Sequence, residues 1–225
     1  GAVYNEGIFE ANNSLFSGNI ADEGGAVYNY VTFSANASTF SNNSAFSDGG
    51  VVYNDGTFIA NSCSFSENST DYDGGAVFSY GTIGATFCSF SENTATKSGG
   101  AVCNYSMFEA TNCTFSGNTA NESGGAIYQG HGTLILRNSS FLTASDTIYI
   151  DDGSATFGGK ISLAGNLYSA KAITVEAGTE ILFDLSSYES QNTKEIITSL
   201  DTILNSTNAK YSVNIGTEQA YGKYL

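Results

Sequence analysis

The chain has no proline and no tryptophan, a single methionine and a single histidine, and only seven Lys and Arg against 22 Asp and Glu, a formal charge of −15 over 225 residues. Seven cations cannot neutralise a run of phosphates within so negative a field, so a nucleic-acid partner is excluded. No apolar run of about 18 residues occurs, and Gly1-Ala2-Val3-Tyr4-Asn5 opens without a charged and then apolar leader. Neither a membrane-spanning helix nor a signal peptide is therefore expected in this segment, nor direct membrane contact by it. The charge imbalance alone would suit disorder, but 41% hydrophobic residues, with 15 Phe and 14 Tyr, predict a folded chain.

Glycine is abundant, at 26 residues, and much of it is periodic. Gly24-Gly25-Ala26-Val27-Tyr28-Asn29 returns as Gly49-Gly50-Val51-Val52-Tyr53-Asn54, Gly74-Gly75-Ala76-Val77-Phe78-Ser79, Gly99-Gly100-Ala101-Val102-Cys103-Asn104 and Gly124-Gly125-Ala126-Ile127-Tyr128-Gln129, at a step of 25 residues. Gly1 to Asn5 is the same unit with one Gly missing, so the segment starts inside a repeat and is expected to be part of a longer protein. A second landmark keeps the step: Phe16-Ser17-Gly18-Asn19, Phe40-Ser41-Asn42-Asn43, Phe65-Ser66-Glu67-Asn68, Phe90-Ser91-Glu92-Asn93 and Phe115-Ser116-Gly117-Asn118. Such a period marks a solenoid.

Leucine-rich or helical solenoids would carry Leu, Lys, Glu and Ala at helical spacing, whereas these units hold short alternating runs. Val27, Asn29, Val31, Phe33 and Ala35 share one parity, and Ser38 and Phe40 take the other after a bend. Two or three short strands per unit, parted by Gly, Asn and Ser turns, predict an all-β right-handed parallel β-helix of about 25 residues per coil. Stacking the coils about 4.8 Å apart turns equal positions into ladders. The ladders are aliphatic at Val3, Val27, Val52, Val77, Val102 and Ile127, and aromatic at Phe9, Phe33, Phe58 and Phe108 and at Phe16, Phe40, Phe65, Phe90, Phe115 and Phe141. Asn19, Asn43, Asn68, Asn93 and Asn118 form a structural ladder, passing amide hydrogen bonds from coil to coil. The Gly-Gly pair supplies a positive-φ corner.

Regular coils are expected over 1–150 and less regular ones over 151–225, because the Asn due three residues after Phe141 is Ala144. Strands are read at Thr147 to Ile150, Ser154 to Phe157, Lys160 to Leu163, Ala172 to Glu176, Glu180 to Leu185 and Tyr211 to Ile215. Asn192 and Glu195 resemble a capping box, and Ile196, Leu200, Ile203 and Leu204 recur at helical spacing, which predicts a short helix insertion over 193–204.

The pairing of Gly-Gly-Ala-Val/Ile with Phe-x-x-Asn at fixed phase, over residues 1 to about 141, resembles the signature of the polymorphic membrane proteins of chlamydiae and of related bacterial autotransporter adhesins. Val51 in place of Ala, and the lost Asn of the sixth coil, depart from it. The resemblance implies a β-helical passenger exported to the bacterial cell surface, with a membrane β-barrel elsewhere, and host-cell surface proteins, glycans or its own copies as partners. It implies neither a cofactor nor an enzyme.

Four candidates for chemistry stand beside this reading. Cys63, Cys88 and Cys113 share one phase; in-register side chains point alike and rarely reach bridge geometry, so free thiols without a metal are expected, with Cys103 apart at the Tyr phase. Gly130-His131-Gly132 with Asp151-Asp152 is similar to polygalacturonase motifs, and a His with paired carboxylates suits acid–base cleavage of a glycosidic bond. The aspartates follow the Gly-His-Gly rather than preceding it, and no Arg-x-Lys clamp is present, so a polysaccharide-active enzyme is the alternative reading. Asp22-Glu23, Asp48, Asp71 with Asp73, and Glu122 gather before the Gly-Gly pairs and are read as a solvated edge lacking a common phase, rather than a calcium cluster. Finally, if Val27 and its equivalents point inward, Tyr4, Tyr28, Tyr53, Phe78 and Tyr128 form an outward aromatic column able to bind a partner, the reverse parity leaving them in the core.

Overall fold

A computed structural model describes residues 1–184 and 210–214. It is an all-β parallel solenoid with no helix among the described residues; the helix expected over 193–204 lies outside them. Each regular coil carries four short strands rather than two or three, the second complete coil being Val27–Asn29, Thr32–Asn36, Thr39–Ser41 and Ser44–Ala45. Equivalent strands pair in register and stack into four parallel sheets. The first sheet runs from Val3–Asn5 to Leu167–Ser169, the second from Ile8–Asn12 to Ile173–Val175, the third from Leu15–Ser17 through Glu180–Asp184 to Lys210–Asn214, and the fourth from Ile20–Ala21 to Thr119–Ala120.

Left-handed residues make the corners between sheets. Asn13, Ala37, Ser62, Phe87, Asn112 and Asn138 turn the second sheet into the third, all with φ near +50°. Only the asparagines among them announce that conformation by residue type. Val31 sits in the bend between the first and second sheets and is exposed, so the parity read through it breaks although both flanking strands point inward as expected. The two glycines of each pair serve different ends. Gly49 adopts φ +68°, whereas Gly50 is crowded: a Cβ there would lie 2.1 Å from the carbonyl oxygen of Gly75 in the next coil.

Inside, the phenylalanines of the third sheet stack face to face, with centroids 4.9 Å apart for Phe40 and Phe65, 4.7 Å for Phe65 and Phe90 and 4.6 Å for Phe115 and Phe141. The second-sheet column meets them edge-on, Phe58 against Phe65 at 6.2 Å. Each buried ring contributes about 1.5–3 kcal/mol through area removed from water, and aromatic contact adds about 0.5–1.5 kcal/mol. Polar ladders close the corners. Asn19 donates to Asn43 at 2.8 Å, Asn43 to Asn68 at 3.0 Å, and Asn68 to Asn93 and Asn93 to Asn118 at 2.9 Å each. A second ladder at the end of the first sheet runs from Asn5 to Asn29 and Asn54, then meets Ser79.

The coil shortens beyond the array. Val102 pairs with Ile127, 25 residues on, but Ile127 pairs with Ile148, 21 on, and Ile148 with Leu167, 19 on. The fourth sheet stops there. The later strands fall where the alternation placed them, at Ile148–Ile150, Ser154–Gly158, Lys160–Leu163, Ile173–Val175 and Glu180–Asp184, with Leu167–Ser169 in addition. Ala144 does lose the Asn, yet the ladder still ends on a partner: buried Asp146 accepts from the amide nitrogens of Asn118 and Gly117 and from the Asn118 side chain.

Candidate binding face

Alternation along the first sheet places Val27 and its equivalents in the core and sends the next residue outward. The tyrosine column follows on the outer surface: Tyr4 to Tyr28 at 5.4 Å, Tyr28 to Tyr53 at 4.7 Å, Tyr53 to Phe78 at 5.2 Å. It continues past the sequence array, with Tyr128 to Tyr149 at 5.7 Å and Tyr149 to Tyr168 at 6.0 Å. Its exposure differs from expectation. Tyr4 is 62% exposed, but Tyr28, Tyr53 and Tyr128 are half-buried and Phe78 only 3% exposed.

The cover comes from a second aromatic row two residues further on, at the bend between the first and second sheets. Tyr30 lies 4.9 Å from Tyr28, and Tyr80 lies 5.0 Å from Phe78 at a right angle. Tyr105 bridges the gap left by buried Cys103, 5.9 Å from Phe78 and 6.0 Å from Tyr128. Gly130 makes room for it, because a Cβ there would lie 2.4 Å from the Tyr105 ring. Tyr30 and Tyr80 remain 43% and 56% exposed, so this row presents its rings to solvent. The sequence reading missed it, although Tyr80 and Tyr105 keep the 25-residue step.

Carboxylates border the rings. Asp55 accepts from the Tyr28 hydroxyl at 3.4 Å and Asp151 from the Tyr128 hydroxyl at 3.2 Å. Three of the acidic residues ahead of the glycine pairs do hold a common phase, contrary to expectation: Glu23, Asp48 and Asp73 each immediately precede the first Gly, while Asp22, Asp71 and Glu122 lie off it. The backbone N–H of Asp73 donates to Asp48 at 3.0 Å, and that of Ser98 to Asp73 at 2.8 Å. Burial raises the carboxyls of all three above the usual carboxylate range, and the neighbouring carboxylates raise Glu23 and Asp73 further. Burial and then the charges of Asp55, Glu23 and Asp48 raise the Tyr53 phenol. Burial and Asp151 push Tyr128 up to about 12. Among the described residues one cation reaches this edge: Lys97 Nζ sits 3.9 Å above the Tyr72 ring and draws Asp48 and Asp73 back down.

The other candidates sit elsewhere. His131 belongs to a one-residue insertion, since Asn104 pairs with Gln129 but Met107 with Thr133. Its Nδ1 lies 3.6 Å from Asp152, both side chains being 63% exposed, while Asp151 turns to Tyr128 instead. Lys171 Nζ holds Asp152 at 2.5 Å and keeps its carboxyl below the usual range. Cys63, Cys88 and Cys113 are buried, stacked free thiols at the position Ser38 and Ser139 hold in flanking coils. Cys88 Sγ contacts the carbonyls of Thr86 and Ala60 at 3.4 Å, as Ser38 Oγ contacts those of Asn36 and Ala11. The thiol thus takes the place of a corner hydroxyl. No three His, Cys, Asp or Glu side chains converge as metal ligands among the described residues.

The family model of the Chlamydia polymorphic membrane protein repeat matches five times, over residues 13–30, 37–55, 62–80, 87–105 and 112–130. The five repeats within residues 13–130 are of this family's kind. Each polymorphic membrane protein repeat begins at a left-handed corner residue, passes through the third and fourth sheets and the glycine pair, and closes on the aromatic face. The second sheet falls between matches. No curated protein and no solved structure matches the chain.

Proposed function

We propose that the chain is a segment of a surface-displayed passenger of the autotransporter kind, exported to the bacterial outer membrane and acting as a stiff stalk with a non-catalytic binding surface. The repeat match supports the location, and the near-uniform coils support the mechanics, because the regular coils offer their neighbours largely the same ladders. The observation that carries the non-catalytic reading is the state of Asp152. A glycosidase needs one carboxylic acid kept protonated beside a second carboxylate. Asp152 is instead exposed and held ionised by Lys171, and Asp151 is committed to Tyr128.

A reducing-sugar assay on polygalacturonate and neutral glycans is expected to show no turnover. Turnover lost on His131→Ala or Asp152→Asn would overturn this reading in favour of a polysaccharide-active enzyme. Labelling of intact cells with antibody against the coils, removed by external protease, is the expected result for display.

A further inference from the structure

We propose that the face formed by Tyr28, Tyr30, Tyr53 and Tyr80 with Glu23, Asp48, Asp55 and Asp73 docks an extended, Arg- and Lys-rich segment of a partner protein. The proposal rests on the binding-surface reading above and names the partner's chemistry. Three observations lead to a cationic occupant. First, the rings are contiguous and the exposed ones, Tyr30 and Tyr80, offer their surfaces to solvent beside half-buried acids. Aromatic faces and carboxylates together attract guanidinium and ammonium groups, by ring quadrupole and by charge. Secondly, the acids outnumber the cations near them among the described residues: Lys97 is the one basic group there that shifts Asp48 or Asp73, and none is found among those shifting Tyr28, Tyr53 or Tyr80. Thirdly, the molecule already seats one ammonium in this manner, Lys97 over Tyr72 next to Asp73.

Geometry sets the form of the ligand. The face from Tyr28 to Tyr80 spans two coil steps, about 10 Å at 4.8 Å each, the length of roughly three extended residues, and a longer segment would run on over the neighbouring coils. A second copy of this chain is a poor occupant, since each copy carries −15 and seven Lys and Arg in all. A neutral glycan would use the rings but leave the carboxylates unanswered.

The test is calorimetric titration of the 225-residue chain with a nonapeptide of alternating Arg and Ser at about 150 mM salt, where diffuse charge attraction is screened beyond about 8 Å. Binding is expected, weakened at least tenfold by Tyr30→Ser with Tyr80→Ser, which leave the net charge unchanged. The triple change Asp48→Asn, Asp55→Asn, Asp73→Asn is expected to weaken it as much. Glu67→Gln with Glu92→Gln, on the corner between the third and fourth sheets, is expected to leave it within twofold. Because deleting rings removes packing, the charge reversal Asp55→Lys at an exposed position, which leaves every ring in place, is a second test and is expected to abolish binding with the circular dichroism spectrum unchanged. Absence of peptide binding, retention of wild-type affinity in the tyrosine variants, or binding of neutral oligosaccharides in place of the peptide would each overturn the proposal. Those outcomes leave the display reading standing, which only the sugar-turnover and cell-labelling results can remove.

Discussion

The coils up to Phe141 and the coils after it share three sheets, yet they satisfy their buried polar groups by different means. In the array, one side chain answers its own equivalent in the next coil, as Asn43 answers Asn68 and Asn68 answers Asn93. Around and beyond the end of the array the polar contacts become singular: Asp146 ends the asparagine ladder, and Arg137 joins Glu109 behind it to Glu176 ahead, at 2.7 Å each. Periodicity thus makes each substitution repeat its effect only locally, whereas the irregular coils concentrate their polar balance in a few residues. Disturbing the two regions separately should expose this difference.

The largest effect is expected in the array's core. Phe65 is fully buried between Phe40 and Phe90 and edge-on to Phe58. Phe65→Ala removes two stacking contacts and leaves a cavity that neighbouring rigid rings cannot fill, a loss of about 3–5 kcal/mol. Chemical denaturation measures it, and a loss below about 1 kcal/mol would show that this column is not core.

Next in size is the ladder's terminus. The buried Asp146 carboxylate accepts from Gly117, from Asn118 twice and from Thr143 through both its backbone and its hydroxyl. Asp146→Ala strands those donors and is expected to cost about 2–3 kcal/mol. The array's Asn93→Ala still leaves the flanking asparagines their carbonyl partners and should cost less. Equal losses in the two variants would erase the contrast between regions.

How much of this was legible follows from the same contrast. The 25-residue step of Gly-Gly and Phe-x-x-Asn revealed the solenoid, the inward valines and the phenylalanine columns, because these depend only on equal positions meeting equal positions. The four-strand coil was less legible, since Ala37, Ser62 and Phe87 adopt left-handed corners that their residue types do not signal. The aromatic face was half legible: the first-sheet tyrosines were read, but their cover by Tyr30, Tyr80 and Tyr105 depends on how a bend folds back. Asp146 lies two residues off the expected Asn phase, and a shortened coil cannot be inferred from a fixed step. Glu23, Asp48 and Asp73 were hidden by the acids scattered around them.

A defect inside the array offers a test of opposite sign. Ser79 occupies the Asn phase of the first-sheet ladder and donates to Gly81, so buried Asn104 is left with a side-chain oxygen that accepts no hydrogen bond. Ser79→Asn would carry the ladder from Asn54 through to Asn104 and Gln129. A gain of about 1 kcal/mol is expected in denaturant titration. No gain, or a loss, would show that the coil around Phe78 cannot admit the larger amide.

The smallest expected effect concerns pH, and it opposes the two regions directly. Asp48 and Asp73 have carboxyls raised by burial in the folded chain, so the fold holds their protons more tightly than the unfolded chain does. Their contribution is fully present below the ordinary carboxylate range near about 4 and is lost as pH rises through the raised values. Asp152 has the reverse sign: Lys171 lowers it, so its contribution is present above that range and is lost as pH falls through the lowered value. Mild acidification from neutral pH should therefore strengthen the array near the glycine pairs while leaving the Asp152 pairing intact until more acidic conditions loosen it. Since Asp48 is half-exposed, the gain is expected to stay below about 1 kcal/mol. Asp48→Asn keeps an acceptor for the Asp73 N–H and should flatten the acid gain. Amide hydrogen exchange read coil by coil at two pH values separates the regions. Array protection that falls on mild acidification would remove the carboxylate column as its cause, and a gain that survives Asp48→Asn in the coil around it would remove that carboxyl.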